Sequence, residues 1–215
     1  MDHRIALFFR KIYNAKLRFR LKNHNFSLIA SNCNGGCILH DLGLPFNSPF
    51  VNLWVKPKDF IKFCDRMDHY LSAQFTFVTE EGISYPIGQL DDIRIYFQHY
   101  KTPDEAEVAW TRRAKRINRN NLFLLATDRD GWCYEDFAAF EDLPYKNKVV
   151  FCHREYPEFP SAVYIPGFEH QEEVGLCMEY VSSNTFKKYY DAFDYVAWFN
   201  QGSKEKTTQE QDDGI

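Results

Sequence analysis

The chain has 215 residues, 45% of them hydrophobic and 17% aromatic, which is enough for one sizeable core with small lobes on it. A formal net charge of −4 argues against a nucleic-acid protein, and no apolar run approaches the roughly 20 residues that a membrane span requires. Six cysteines at 33, 37, 64, 133, 152 and 177 follow no dense framework, and there is no secretory signal, so the expectation is a reduced, soluble protein of the cytoplasm.

Residues 1–24 read as a basic leading helix. Arg4, Arg10, Lys11, Lys16, Arg18, Arg20 and Lys22 are interleaved with Ile5, Phe8, Phe9, Ile12 and Tyr13 at helical spacing. Such a helix either packs on the domain with a solvated basic face or makes peripheral contact with an anionic inner-membrane surface through residues 4–22.

The stretch Asn25 to Pro49 organises the rest of the chain. Its first part is a short apolar run that suits a buried strand, Gly35 and Gly36 permit a tight turn, and Cys37 to Leu42 starts a helix. The free N–H groups of that helix start would face Ser31, Asn32 and Cys33, favouring an anion or a thiolate there.

Further along, Phe50 to Val55 is a short apolar segment, and Pro57 starts a helix carrying Phe60, Ile61, Cys64, Met67 and Leu71. Gln74 to Val78 reads as a strand, Tyr85 to Leu90 as loop, and Ile93 to Phe97 as a strand delivering Gln98, His99 and Tyr100 to its end. Thr102-Pro103-Asp104-Glu105 marks a helix start, and that helix carries Ala106, Ala109, Trp110 and Ile117. Leu122 to Ala126, Lys148 to Cys152 and Ala162 to Ile165 read as strands, with a short helix around Phe137 and Phe140. Thr185 to Phe199 forms a last amphipathic helix, and residues 201–215 are a disordered tail. Alternating strands and helices of this length predict a single α/β domain over 25–200, a three-layer α/β/α sandwich on a mainly parallel or mixed sheet.

Several motifs occur together in one order: Asn32-Cys33-Asn34-Gly35-Gly36, Leu42-Gly43, Ser48-Pro49-Phe50, Tyr85-Pro86-Ile87-Gly88, His99-Tyr100, Trp110 with Arg112-Arg113, Arg116-Ile117-Asn118, and Asn147 to Phe151. In this the chain resembles the bacterial exopolysaccharide-biosynthesis family catalogued as domain of unknown function 1919, over roughly residues 20 to 200. The resemblance implies a three-layer α/β/α domain and a role near capsule, exopolysaccharide or lipopolysaccharide assembly. It brings no established reaction. Asn34 stands where many members carry an aromatic residue.

Three constellations carry chemistry. Cys33, at a strand end before Gly-Gly and a helix start, has surroundings that depress a thiol pKa, with His99 as its first-choice base and His40 as its second; the alternative is a small buried thiol and a structural histidine. The arrangement is loosely similar to capsule acetyltransferases that use a Cys and a His after an Asn-Cys turn. Asn32 and the amides of Gly35 and Gly36 would then be oxyanion donors, with Ser48 and Tyr100 beside the substrate. Cys33, Cys37 and His40 also have loosely ligand-like spacing for zinc, with Cys152-His153 needed to complete the set.

Asp128-Arg129-Asp130 after a strand either holds a divalent cation against a nucleotide-sugar diphosphate or forms a charged turn closed by Gly131. The run Arg112, Arg113, Arg116 and Arg119, with 112, 116 and 119 on one helical face, either clamps the phosphates of an acyl-coenzyme A or nucleotide donor or is a solvated cationic helix end. The leading expectation is a cytoplasmic transferase of surface-polysaccharide biosynthesis acting on a sugar or glycan precursor, an acyltransferase using Cys33 and His99. The others are a metal-dependent glycosyltransferase using Asp128 and Asp130, and a non-catalytic assembly module at the inner membrane.

Overall fold

The computed structural model describes residues 3–202. In chain order its elements are α1 (His3–Arg20), β1 (Ser27–Ala30), α2 (Asn34–Leu42), α3 (Pro57–Asp65), α4 (Met67–Ser72), β2 (Thr76–Val78), β3 (Ile87–Leu90), β4 (Ile93–Tyr96) and α5 (Pro103–Ala114). They continue as β5 (Leu122–Thr127), α6 (Tyr134–Glu141), β6 (Lys148–Cys152), β7 (Ala162–Tyr164), a 3-10 turn (Tyr189–Ala192) and α7 over 195–202.

Four strands pair in parallel in the order β1-β5-β6-β7. Their side chains alternate between two cores, as the period-2 geometry of a strand requires. Leu28, Ala30, Phe123, Leu125, Val149 and Phe151 face α1, α2 and the C-terminal segment with Tyr190, Tyr195 and Phe199. Ile29, Leu124, Ala126, Val150 and Cys152 face α3, α5 and α6 through Phe60, Phe63, Trp110, Phe137 and Phe140. Each such fully buried large side chain stabilises the fold by about 1.5–3 kcal/mol before ordering costs. The expected α/β sandwich, with helices on both faces of a mainly parallel sheet, is therefore the fold, and it carries a second, antiparallel sheet β2-β3-β4.

The two sheets are joined by the segment that read as merely apolar. Val55 N–H donates to the Ser31 carbonyl at 3.0 Å, while Trp54 exchanges two backbone bonds with Tyr96, both 3.0 Å. Thus the end of β1 and the end of β4 come to the same side of the molecule.

Four local expectations are corrected. Ile87–Leu90, read as loop, is a strand, and Gly88 is there because a Cβ would lie 2.6 Å from the Phe75 ring and 2.9 Å from the Phe97 ring. The helix from Pro57 breaks at Arg66 (φ −120°, ψ 45°), so Tyr70 reaches Asp92 instead of continuing one cylinder. The helix begun at Thr102 ends at Ala114, short of Arg116 and Arg119. The expected helix from Thr185 is interrupted, because Asp191 and Tyr190 turn inward to buried partners and Asp194 starts α7 by accepting the Ala197 N–H at 3.1 Å. Residues 201 and 202 close α7; the remainder of the expected tail lies outside the described residues.

α1 packs on the domain. Arg10 is buried between Asp41 (2.5 Å) and Asp191, Asn14 donates to Asp41 at 3.0 Å, and Leu17 and Leu21 enter the core. Among the described residues no helix is long and apolar enough to cross a membrane.

Candidate functional site

β1 ends in Ser31-Asn32-Cys33, and its neighbour β5 ends in Asp128-Arg129-Asp130, so both turns lie at the carboxyl edge of the parallel sheet, where open α/β sheets form crevices. Asn32 ties the two ends together: its Nδ2 donates to Thr127 Oγ1 at 2.8 Å, and its Oδ1 accepts the Asn34 N–H at 3.1 Å. Between them is a cavity of about 270 Å³. Asn32, Cys33 and Asn34 line one side, Arg129 and Asp130 another, and Leu176 and Met178 a third. Trp54 and Gln98 close it from the joint between the sheets.

The Trp54 ring is fixed in orientation. It stacks on Tyr96 with centroids 4.1 Å apart and an interplanar angle of 13°, and its Nε1 donates to Tyr85 Oη at 3.1 Å. One aromatic face is thus held beside amide, guanidinium and carboxylate groups. Asn34 is 2% exposed and lines the cavity, yet its Oδ1 has no hydrogen-bond partner among the described residues; nor has the buried Ser31 Oγ. Burial of polar atoms without partners costs free energy that a ligand or water would relieve.

α2 starts at the same point. Cys37 N–H bonds back to the Cys33 carbonyl at 3.0 Å; Gly35 and Gly36, expected as oxyanion donors, sit in the first turn of α2, and neither lines the cavity. Gly35 also has a packing role, since a Cβ there would lie 2.5 Å from the Ala30 Cβ.

Of the residues singled out from the sequence, Asn32, Cys33 and Asp130 share this cavity. Burial, reinforced by Cys37, pushes the Cys33 thiol up from its ordinary value, which opposes the depression expected from the helix start. His99 does not line the cavity; it is exposed after β4, in the antiparallel sheet and not in the parallel one, and Gln98 takes the lining position. His40 sits in the last turn of α2 with its side chain 81% exposed. The zinc-like set is therefore split along α2, with Cys33 at its start and His40 at its end.

The remaining candidates bind the fold. Ser48 Oγ donates to the Leu28 carbonyl at 2.6 Å, and Tyr100 Oη donates to the Val51 carbonyl at 3.2 Å while accepting from Arg113. Arg113 also reaches the Val51 carbonyl (3.3 Å), Arg116 the Phe46 carbonyl (3.3 Å) and Arg119 the Asp68 carboxylate, while Arg112 is exposed on α5. Because α5 stops at Ala114, the common face expected for Arg112, Arg116 and Arg119 does not exist.

Asp128 and Asp130 have different duties. Asp128, with its side chain 2% exposed, accepts from the His153 N–H (3.0 Å), His153 Nδ1 (2.5 Å) and the Val174 N–H (2.7 Å), which engages both oxygens. Asp130 adopts φ +62°, its N–H donates to Glu173 at 2.8 Å, and its carboxyl faces the cavity. Burial pushes that carboxyl up, Arg129 opposes the shift and Glu173 adds to it. Among the described residues no group of three or more His, Cys, Asp or Glu side chains is placed to hold a metal ion.

Sequence reasoning passed over Trp54, Gln98 and Arg129 as site residues and mentioned His153 only as a zinc supplement. The register, which only the structure gives, accounts for the pair: Thr127 pairs with Phe151, so Asp128 leaves β5 close to the end of β6, which His153 follows directly.

A model of the family described as Domain of unknown function (DUF1919) matches residues 4–200. The chain belongs to this family. An uncharacterized protein of Haemophilus influenzae (strain ATCC 51907 / DSM 11121 / KW20 / Rd) is 49% identical over 191 residues, covering 89% of this chain and 92% of that protein. The family match begins within α1 and runs into α7, so the cavity and both of its covering layers lie inside it.

Proposed function

We propose that this DUF1919 protein is a transferase of surface-polysaccharide assembly whose cavity binds a sugar unit of a glycan precursor. The observation that carries the reading is Trp54: a fixed aromatic face beside Asn32, Gln98, Arg129 and Asp130 is the combination that recognises a sugar ring, apolar on its C–H face and rich in hydroxyls at its edge. Arg129, in the cavity lining, suits the phosphate of an activated donor, whether a nucleotide sugar or an acyl-coenzyme A.

Asp130 takes the role of base. A carboxylate raised towards neutrality at the edge of a cleft accepts a hydroxyl proton more readily than an ordinary one. Cys33, protonated beside it, serves as a lining group and hydrogen-bond partner. The support for acyl transfer through Cys33 and His99 is weaker, since the histidine lies outside the cavity; a metal held by Asp128 and Asp130 has less support still, since Asp128 is engaged by His153 and Val174. The reaction belongs in the cytoplasm, where activated donors are available.

Calorimetric titration with a panel of nucleotide sugars, sugar phosphates and coenzyme A thioesters tests the reading. At least one sugar-containing compound binds, Trp54→Ala weakens it by about tenfold or more, corresponding to roughly 1.4 kcal/mol, and Asp130→Asn retains binding but abolishes transfer to an acceptor sugar. A wild-type protein that binds none of them, or a Trp54→Ala variant that binds equally well, overturns it.

A further inference from the structure

α1 is mounted with the less apolar of its two faces inward. The buried positions are Ala6, Arg10, Asn14 and Leu17, followed just past the helix by Leu21, and the large apolar side chains Ile5, Phe8, Ile12 and Phe19 point to solvent. Spacings of three, four and seven place these four on one stripe of the helix, with Ala15 completing it; Phe9, at its margin, stacks on Phe186. Of the ten large apolar residues exposed among the described residues, six belong to this one helix, and Phe19 is 82% exposed.

The orientation is locked. Turning the stripe towards the domain would pull Arg10 from Asp41 and Asp191 and leave buried charges without partners, which is strongly destabilising. The fold thus holds an apolar ridge outward along about 21 Å, the rise from Ile5 to Phe19 at 1.5 Å per residue. Exposed Arg4, Lys11 and Lys16 flank it, and no Asp or Glu occurs between Asp2 and Asp41.

We propose that α1 seats the protein on an anionic phospholipid surface, with Ile5, Phe8, Ile12 and Phe19 entering the headgroup–acyl boundary and the flanking cations meeting the lipid phosphates. Charge complementarity selects this occupant. A second copy of the chain would bring two acid-free basic helices together, whereas an anionic leaflet attracts each Lys and Arg of the helix. The inference extends the functional reading only as to place, since lipid-linked glycan precursors are handled at such a surface. It does not rest on the chemistry of the cavity.

The test is co-flotation of the full chain with vesicles of phosphatidylglycerol and phosphatidylcholine in equal parts, and with phosphatidylcholine alone. The wild type floats with the anionic vesicles at least about tenfold more strongly than with the neutral ones, and high salt weakens the binding. The combined Phe8→Ser, Ile12→Ser and Phe19→Ser variant loses it by tenfold or more, as does Lys11→Glu with Lys16→Glu. Urea unfolding confirms that both variants fold, and titration of the cavity ligand in them is unchanged, which separates failure here from failure of the sugar-binding reading. Absence of wild-type flotation, flotation unaffected by the serine substitutions, or a wild-type dimer that these substitutions turn into a monomer overturns the proposal.

Discussion

Asp128 holds His153 at two points, accepting its backbone N–H at 3.0 Å and its ring Nδ1 at 2.5 Å, while the other oxygen of Asp128 takes the Val174 N–H at 2.7 Å. One buried carboxylate thereby ties the ends of β5 and β6 to the segment that supplies Leu176 and Met178 to the cavity. Asp128→Ala leaves two buried N–H groups and a buried imidazole without their acceptor. The expected loss is about 3 kcal/mol, read as a lower urea midpoint at unchanged slope. A loss under about 1 kcal/mol would show that the pair is dispensable.

Asp41 predicts an acid-sensitive joint between α1 and α2. Burial alone would raise its carboxyl, but hydrogen bonds from Tyr190 and Arg10, with the charges of Arg10 and Lys188, outweigh this and hold it at about 2. A depressed carboxyl stabilises the fold above its ordinary value of 3.8, and that contribution disappears as the pH falls through about 2. The stability gap between wild type and Asp41→Asn is therefore full at pH 5 and above, and narrows by about 2 kcal/mol towards pH 2. Denaturant melts of both proteins across this range measure it; a gap independent of pH contradicts the assignment.

The two adjacent glycines of α2 separate packing from helix propensity. In Gly35→Ala the new methyl meets the Ala30 Cβ at 2.5 Å and Leu28 Cδ2 at 3.3 Å, and α2 must lift from β1. The expected cost is about 1–3 kcal/mol. In Gly36→Ala the nearest atom is Val51 Cγ1 at 3.7 Å, ordinary contact, so the gain in helix propensity of about 0.5–1 kcal/mol remains. Opposite shifts in thermal midpoint are expected, and shifts of the same sign would refute the packing argument.

Cysteine reactivity should be low throughout. The thiols of Cys33 and Cys37 are raised, chiefly by burial, and Cys64, Cys152 and Cys177 are buried and raised as well. Alkylation resolved by mass spectrometry should find Cys33 no faster than a free thiol at pH 7, accelerating only in the alkaline range, and the three buried cysteines protected until unfolding. Rapid Cys33 labelling below pH 7 that is lost in His99→Ala would restore the thiol–histidine reading.

Much of the local structure was legible. Thr102 and Pro103 announced α5, and Thr102 Oγ1 does accept the Glu105 N–H at 3.2 Å; the runs Leu122 to Ala126 and Lys148 to Cys152 are continuously apolar because both faces of the parallel sheet are covered. β3 was hidden, since Pro86 and Gly88 carry the composition of a turn. Gly88 is there for a reason that no neighbour in sequence reveals: the Phe75 and Phe97 rings close on it.

Residue order alone determined the parallel strands, the start of α5 and the meeting of a strand, two glycines and a helix start at Cys33, because periodicity and capping are short-range effects. Only the tertiary structure decided which groups share the cavity. His99 and Gln98 are adjacent in sequence, yet the pairing of Trp54 with Tyr96 places Gln98 in the lining and leaves His99 outside it. Asp128 and Asp130 are two residues apart, yet the first is claimed by His153, which is 25 positions away. Pairings at such separation depend on the whole chain's packing, and no local pattern encodes them.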